Sequence, residues 1–93
     1  MKTFYLEFNA QQSPVGDAGS PGVTKRIRFW VVDRNPDGAL RRAHHYLVQN
    51  GWQPAELAYP PADLEAPEND AGHLERDCYE QAQRYGIAMS VVE

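Results

Sequence analysis

The 93-residue chain contains one cysteine, Cys78. A lone thiol excludes an internal disulfide framework and a cysteine-built structural zinc site. Long apolar runs are also missing, and nothing approaches the ~20 residues that a membrane-crossing helix needs. The first residues carry Lys2 and then an apolar stretch interrupted by Glu7, which is too polar for a secretory leader. A cytoplasmic protein is therefore expected. Basic charge is scarce in the second part of the chain. Met1 to Ala55 holds seven Lys or Arg against four acids, a balance of +3, while Glu56 to Glu93 holds two against nine, a balance of −7. That acidic stretch opposes the phosphate neutralisation on which nucleic-acid affinity depends. It suits a basic protein partner, or simply a solvated acidic face.

What is present is a set of clear local signals for one small domain, residues 1–93, able to bury roughly 64% of its extended-chain surface in a single core. The chain is organised around Lys25 to Leu57, which reads as strand, capped helix and strand. Within the first strand Ile27, Phe29 and Val31 share one face, and Arg28, Trp30 and Val32 share the other. Asn35-Pro36 opens a helix, with a capping side chain, a proline at the first helical position and Asp37 in the first turn. Leu40, Ala43 and Leu47 form its buried stripe, and Gly51 ends it as a left-handed cap before Trp52. A short strand around Ala55 to Tyr59 follows, weakened by Pro54 and stopped by Pro60-Pro61.

Upstream, Thr3 to Phe8 alternates, with Phe4, Leu6 and Phe8 on one face and Thr3, Tyr5 and Glu7 on the other. A long loop, expected to be mobile, covers about 10–24 and is rich in Gly, Ser and Pro. An acidic, Pro-rich loop covers about 60–70. A second helix runs from Ala71, capped by Asp70, to Tyr85, with Ala71, Leu74, Cys78, Ala82 and Tyr85 as its stripe. Gly86 stops it, and Ile87 to Val92 is a closing strand. The expected fold is α+β: a two-layer sandwich of a mixed four-stranded β-sheet with both helices on one face, in the order β-β-α-β-α-β. The middle strand-helix-strand unit should cross over right-handed, with its strands parallel if they share a sheet.

Chemistry-bearing residues are few. Gly16, Gly19 and Gly22 have a phosphate-loop look, but the loop opens a strand, not a helix, and contains Asp17. His44 and His45 diverge by about 100° on a helix, and His73 with Asp77 makes only two ligands, so no metal and no cofactor is expected. Cys78 sits mid-helix on the apolar stripe beside Asp77 and Glu80, the setting of a small buried hydrophobe and not of a reactive thiolate. Asp33 ends the central strand just before a helix, where ligand groups often sit in α/β proteins, although turn chemistry explains it as well.

With two helices on one face, the other sheet face would be uncovered, carrying Tyr5, Arg28, Trp30 and Val32. Tyr, Trp and Arg are the types enriched at binding hot spots. The expectation is thus a non-enzymatic protein-binding or regulatory module acting through that face, the acidic half, or both. Its partner is another protein or a second copy, with a homodimer the expected form. A single-stranded nucleic-acid platform would have only Lys25, Arg26, Arg28 and Arg34 for cationic support. The alternative is a small-molecule-binding protein or weak enzyme with a cleft near Asp33 and His44.

Overall fold

Residues 1–12, 24–64 and 72–92 are described by the structure, a computed structural model. The elements follow the expected order: β1 (Lys2–Gln12), β2 (Thr24–Asp33), α1 (Pro36–Gln49), β3 (Trp52–Asp63), α2 (His73–Tyr85) and β4 (Ile87–Val92). The glycines Gly16, Gly19 and Gly22, the expected mobility of their loop, the carboxylates Glu65, Glu68 and Asp70, the Asp70 cap and Ala71 lie outside the described residues.

β1 and β2 form a hairpin in unbroken register from Lys2↔Asp33 to Gln11↔Thr24. β1 thus runs past the expected Phe8, because Ala10 continues the alternation and is buried with Phe4, Leu6 and Phe8. The described strands form one sheet in the order β3-β1-β2-β4, and every neighbouring pair is antiparallel. The expectation of a mixed sheet does not hold. β2 and β3 do run in the same direction across the crossover through α1, but β1 lies between them, so no parallel ladder forms. β3 is also longer than expected, continuing through Pro54, Pro60 and Pro61. It can do so because it pairs on one side only, and a proline without an N–H is tolerated on an edge.

The larger correction concerns the helices, which pack on opposite faces. On one face Phe4, Leu6, Phe8, Ile27, Phe29 and Val31 meet Ala39, Ala43 and Leu47 of α1, with Trp52 closing the cluster. On the other face Trp30 and Ala88 meet Cys78 and Ala82 of α2, with Tyr5, Val32, Leu64 and Tyr79 around them. The layering is therefore helix, sheet, helix. The cause lies in β2, whose run Ile27-Arg28-Phe29-Trp30-Val31-Val32 is apolar on both sides and must be covered twice. Small residues on α2 and β4 leave room for the indole between the layers.

The local signals for α1 hold. The Asn35 side chain accepts a 2.7 Å hydrogen bond from the Gly38 N–H, Pro36 opens the first turn and Asp37 follows. Gly51 and Gly86 both take positive φ, 83° and 85°, as the expected left-handed stops. α2 starts later than expected, at His73, with Gly72 at its N-cap and no capping side chain. Its buried stripe keeps Cys78 and Ala82 but leaves Leu74 and Tyr85 exposed. The contact side is rotated toward Tyr79 and Gln83, whose Nε2 donates to Thr3 Oγ1 at 2.7 Å. No described helix is long and apolar enough to cross a membrane.

Trp30 is 2% exposed and sits at the centre of the layer between sheet and α2. Trp30→Ala should cost about 3–5 kcal/mol, the usual result of deleting a buried aromatic. The check is the urea midpoint, which should fall with the slope unchanged.

Candidate functional site

Tyr5, Arg28, Trp30 and Val32 do share one sheet face, with Tyr5 opposite Trp30 and Glu7 opposite Arg28 in the hairpin register. That face is not open. α2 covers Trp30 and half-buries Val32, so neither can meet a partner as an exposed hot spot. The expected four-residue binding patch is replaced by a clasp at the start of α2. The Arg28 guanidinium lies 4.9 Å above the Trp30 ring and 5.4 Å from the Tyr5 ring centre. Its Nε donates to the Tyr5 hydroxyl at 2.8 Å, and one terminal nitrogen reaches Glu75 of α2 at 3.3 Å. The Tyr5 hydroxyl in turn donates to Glu7, whose other oxygen faces Arg26 Nε at 3.4 Å. Tyr5 also meets Trp30 edge-on at 5.3 Å and Tyr59 of β3 at 5.8 Å.

Every member of this clasp has its partner inside the molecule. Among the described residues no buried side-chain nitrogen or oxygen lacks a hydrogen bond. Burial, assisted by the bond to Glu7, pushes the Tyr5 phenol up from 10.0 to about 12, against the opposing pull of Arg28. For Arg28, burial alone would lower the pKa; the bonds to Tyr5 and Glu75 outweigh it and the net direction is up. Burial likewise pushes the Cys78 thiol up, with Arg28 opposing. The Tyr5 phenol and the Arg28 guanidinium thus fasten β1, β2 and the start of α2 to one another through Glu7 and Glu75.

Asp33 and His44 do not converge. Asp33 Oδ1 accepts the Arg34 N–H at 2.6 Å, and Oδ2 lies 3.8 Å from Arg42. The carboxylate also fills the space over Gly38, where a Cβ would overlap it. Asp33 is thus the turn residue that joins β2 to α1. His44 is exposed, two residues on from Arg42, and so about 200° around the helix from the side Arg42 shows to Asp33. Among the described residues its ring meets that of Phe8, at a centroid distance of 6.2 Å. Neither residue lines the cavity of about 330 Å³ between Lys2, Phe4, Arg34, Pro36, Pro61 and Asp63. A Cys78–His44 pairing is ruled out, since the sheet stands between their helices. Among the described residues no three His, Cys, Asp or Glu side chains gather as a metal site.

The surface that remains is one the sequence reading passed over, the outer edge of β4. The two edges of the sheet differ. β3 carries Pro54, Pro60 and Pro61 and meets β1 through three register shifts. Prolines and bulges blunt an edge against further pairing. β4 reads Ile-Ala-Met-Ser-Val-Val, with no charge, no proline and no register shift against β2. Because Val32 N–H donates to Gly86 C=O at 2.9 Å, antiparallel alternation turns Ala88, Ser90 and Val92 toward β2. The backbone groups of Ile87, Met89 and Val91 point outward, where no described strand meets them.

The flanks of that edge carry apolar side chains at both ends of α2, with the exposed Gln81 between them. Gln83 marks the side of α2 that faces β1. Leu74 and Tyr85 lie about 180° and 200° around the helix from it, on the flank toward the β4 edge. They are 53% and 73% exposed, and Val92 is 44% exposed. On the other face α1 packs over β3, β2 and β1, leaving Ile87, Met89 and Val91 half-buried. The absence of a charge in Ile87–Val92 was the available signal. No family model matches the chain, and no curated protein or solved structure matches it either.

The raised Tyr5 value has a pH consequence. The protonated phenol is favoured in the fold, so its contribution is complete below pH 10 and is lost as pH rises toward 12. An ultraviolet titration should show one tyrosinate forming near pH 12, and Tyr5→Phe should remove that step. The variant should also flatten the decline in unfolding free energy over the same window, while losing roughly 0.5–1.5 kcal/mol at neutral pH.

Proposed function

We propose that this chain is a non-enzymatic protein-binding module that works by accepting a β-strand along β4. The observation that carries the reading is the contrast between the sheet's two edges. One is blunted by three prolines and register shifts, and the other is a charge-free strand with outward backbone groups. An added strand satisfies those groups through main-chain hydrogen bonds, while side-chain contacts on either face give selectivity. Leu74, Tyr85 and Val92 on one face and Ile87, Met89 and Val91 on the other supply the apolar area. A cytoplasmic setting is compatible with the single buried thiol.

The clasp of Tyr5, Arg28, Glu7 and Glu75 supports this reading indirectly, because it fixes α2 beside the edge. The acidic surface of α2, with Asp77 and Glu80 exposed, favours basic residues flanking an incoming strand. The ligand-cleft alternative draws no support from the separated Asp33 and His44.

Amide exchange tests the proposal. In dilute solution the Ile87, Met89 and Val91 amides should exchange quickly while Ala88 and Ser90 are protected by β2. Adding a lysine-flanked peptide of alternating Val and Thr should slow the three outward amides. Met89→Pro, which removes an outward N–H and a half-buried side chain at the core margin, should abolish that effect and leave the fold intact, since the inward ladder of Ala88 and Ser90 to β2 is kept. Outward amides already protected in a dilute monomer, or unmoved by the peptide, would defeat the reading.

A further inference from the structure

Resting on the strand-addition reading, we infer that the strand received by β4 belongs to a second copy of this chain, paired antiparallel about a two-fold axis at Met89. Backbone geometry comes first. Outward residues alternate as Ile87, Met89 and Val91, so a two-fold at Met89 sets Met89 against its own counterpart and Ile87 against the partner subunit's Val91. All three are hydrogen-bonding pairs of an antiparallel ladder, and each pair exchanges two bonds. Every outward group of the edge is then used. Two-fold pairing sets the residue on the axis against its own copy, so a charge there would meet its like. β4 carries none, although the chain as a whole has a net charge of −4.

The helix layer matches the same axis. α2 has 13 residues at about 1.5 Å each, and β4 has 6 at about 3.3 Å each, so both are about 20 Å long. They are joined at Gly86 and fold back on one another, which places the middle of α2 over the middle of β4. A two-fold through Met89 therefore also passes the midpoint of α2. α2 packs on β4 and β2, so its axis stands about 5 Å inside the new seam at a strand spacing of about 4.8 Å. The two copies of α2 would run antiparallel about 10 Å apart, the separation at which helices pack.

The flanks that face each other across this gap carry Leu74 and Tyr85. Antiparallel alignment centred between residues 79 and 80 brings Leu74 against the partner subunit's Tyr85 and Tyr85 against the partner's Leu74. The polar shoulder is complementary too, since Arg84 falls within one helical turn of the partner's Asp77. On the opposite face α1 lies over β1, β2 and β3, clear of the seam, and the two rows of Ile87, Met89 and Val91 meet. A heterologous strand would satisfy the ladder but would leave Leu74 and Tyr85 in water. The second copy covers both.

Light scattering should give twice the 10.5 kDa of one chain. Met89→Pro and, separately, Leu74→Glu should each halve that mass while circular dichroism remains that of the folded chain. In a Cys78→Ala background, Met89→Cys should form a disulfide-linked dimer on mild oxidation, because residue 89 meets itself at a Cα separation of about 5.5 Å. Val91→Cys, whose counterpart is Ile87, should not. A monomer at high concentration, or equal cross-linking of the two cysteine variants, overturns the inference. If that monomer still has fast outward amides that a strand peptide protects, only the second copy is excluded and strand addition stands. If its outward amides are protected without a partner, both readings fall.

Discussion

Everything in this fold depends on β2 being apolar on both sides. Ile27, Phe29 and Val31 require one helix, and Trp30 with Val32 requires another. A strand of this kind must be central, so the sheet grows outward from it, through β1 to β3 on one side and to β4 on the other. Once Trp30 has claimed α2, that helix lies on the face away from α1, over β2 and β4, and delivers β4 to the far side of β2. The topology is the consequence of covering one strand twice with two helices.

The second layer is thinner than the first and is held differently. Against α1 the sheet offers three phenylalanines and four aliphatic partners, and hydrophobic burial suffices. Against α2 it offers a single indole among small residues, and the start of the helix is tied by Arg28, which serves Tyr5, Trp30 and Glu75 at once. An exposed ion pair contributes little by itself. Here the guanidinium also stacks on two rings and accounts for the Tyr5 hydroxyl, so its role is orientation: it sets where α2 lies relative to β4.

Much of this was legible in the sequence. The element order, the Asn35-Pro36 start of α1, both glycine stops and the shared face of Tyr5, Arg28, Trp30 and Val32 follow from local periodicity and capping chemistry. What failed was the step from periodicity to layers. The run from Ile27 to Val32 already says that both faces are buried, but a two-layer expectation turned Trp30 into a surface residue. The Pro60-Pro61 stop failed for a related reason, because an edge strand does not need the N–H groups that proline removes. Stripe assignment on α2 was off by a partial rotation, since Leu74 and Tyr85 fit helical spacing as well as Tyr79 and Gln83 do. Only the position of the sheet beneath decides between them. The β4 edge is not legible from alternation, because the same period marks a buried face whether or not a neighbouring strand lies on the outer side.

The unequal edges carry a further meaning for how this domain can assemble. A sheet with two open margins can polymerise, each new subunit offering the site that receives the next. Here Pro54, Pro60, Pro61 and the irregular pairing of β3 blunt one margin, so strand addition at β4, as proposed, would give the domain a valence of one. Any partner that takes the β4 margin ends growth there, and a symmetric pair would present only proline-blunted borders. On that proposal the three prolines of β3 would set a stoichiometry from the opposite side of the molecule, by denying fibril-like propagation a second point of attachment.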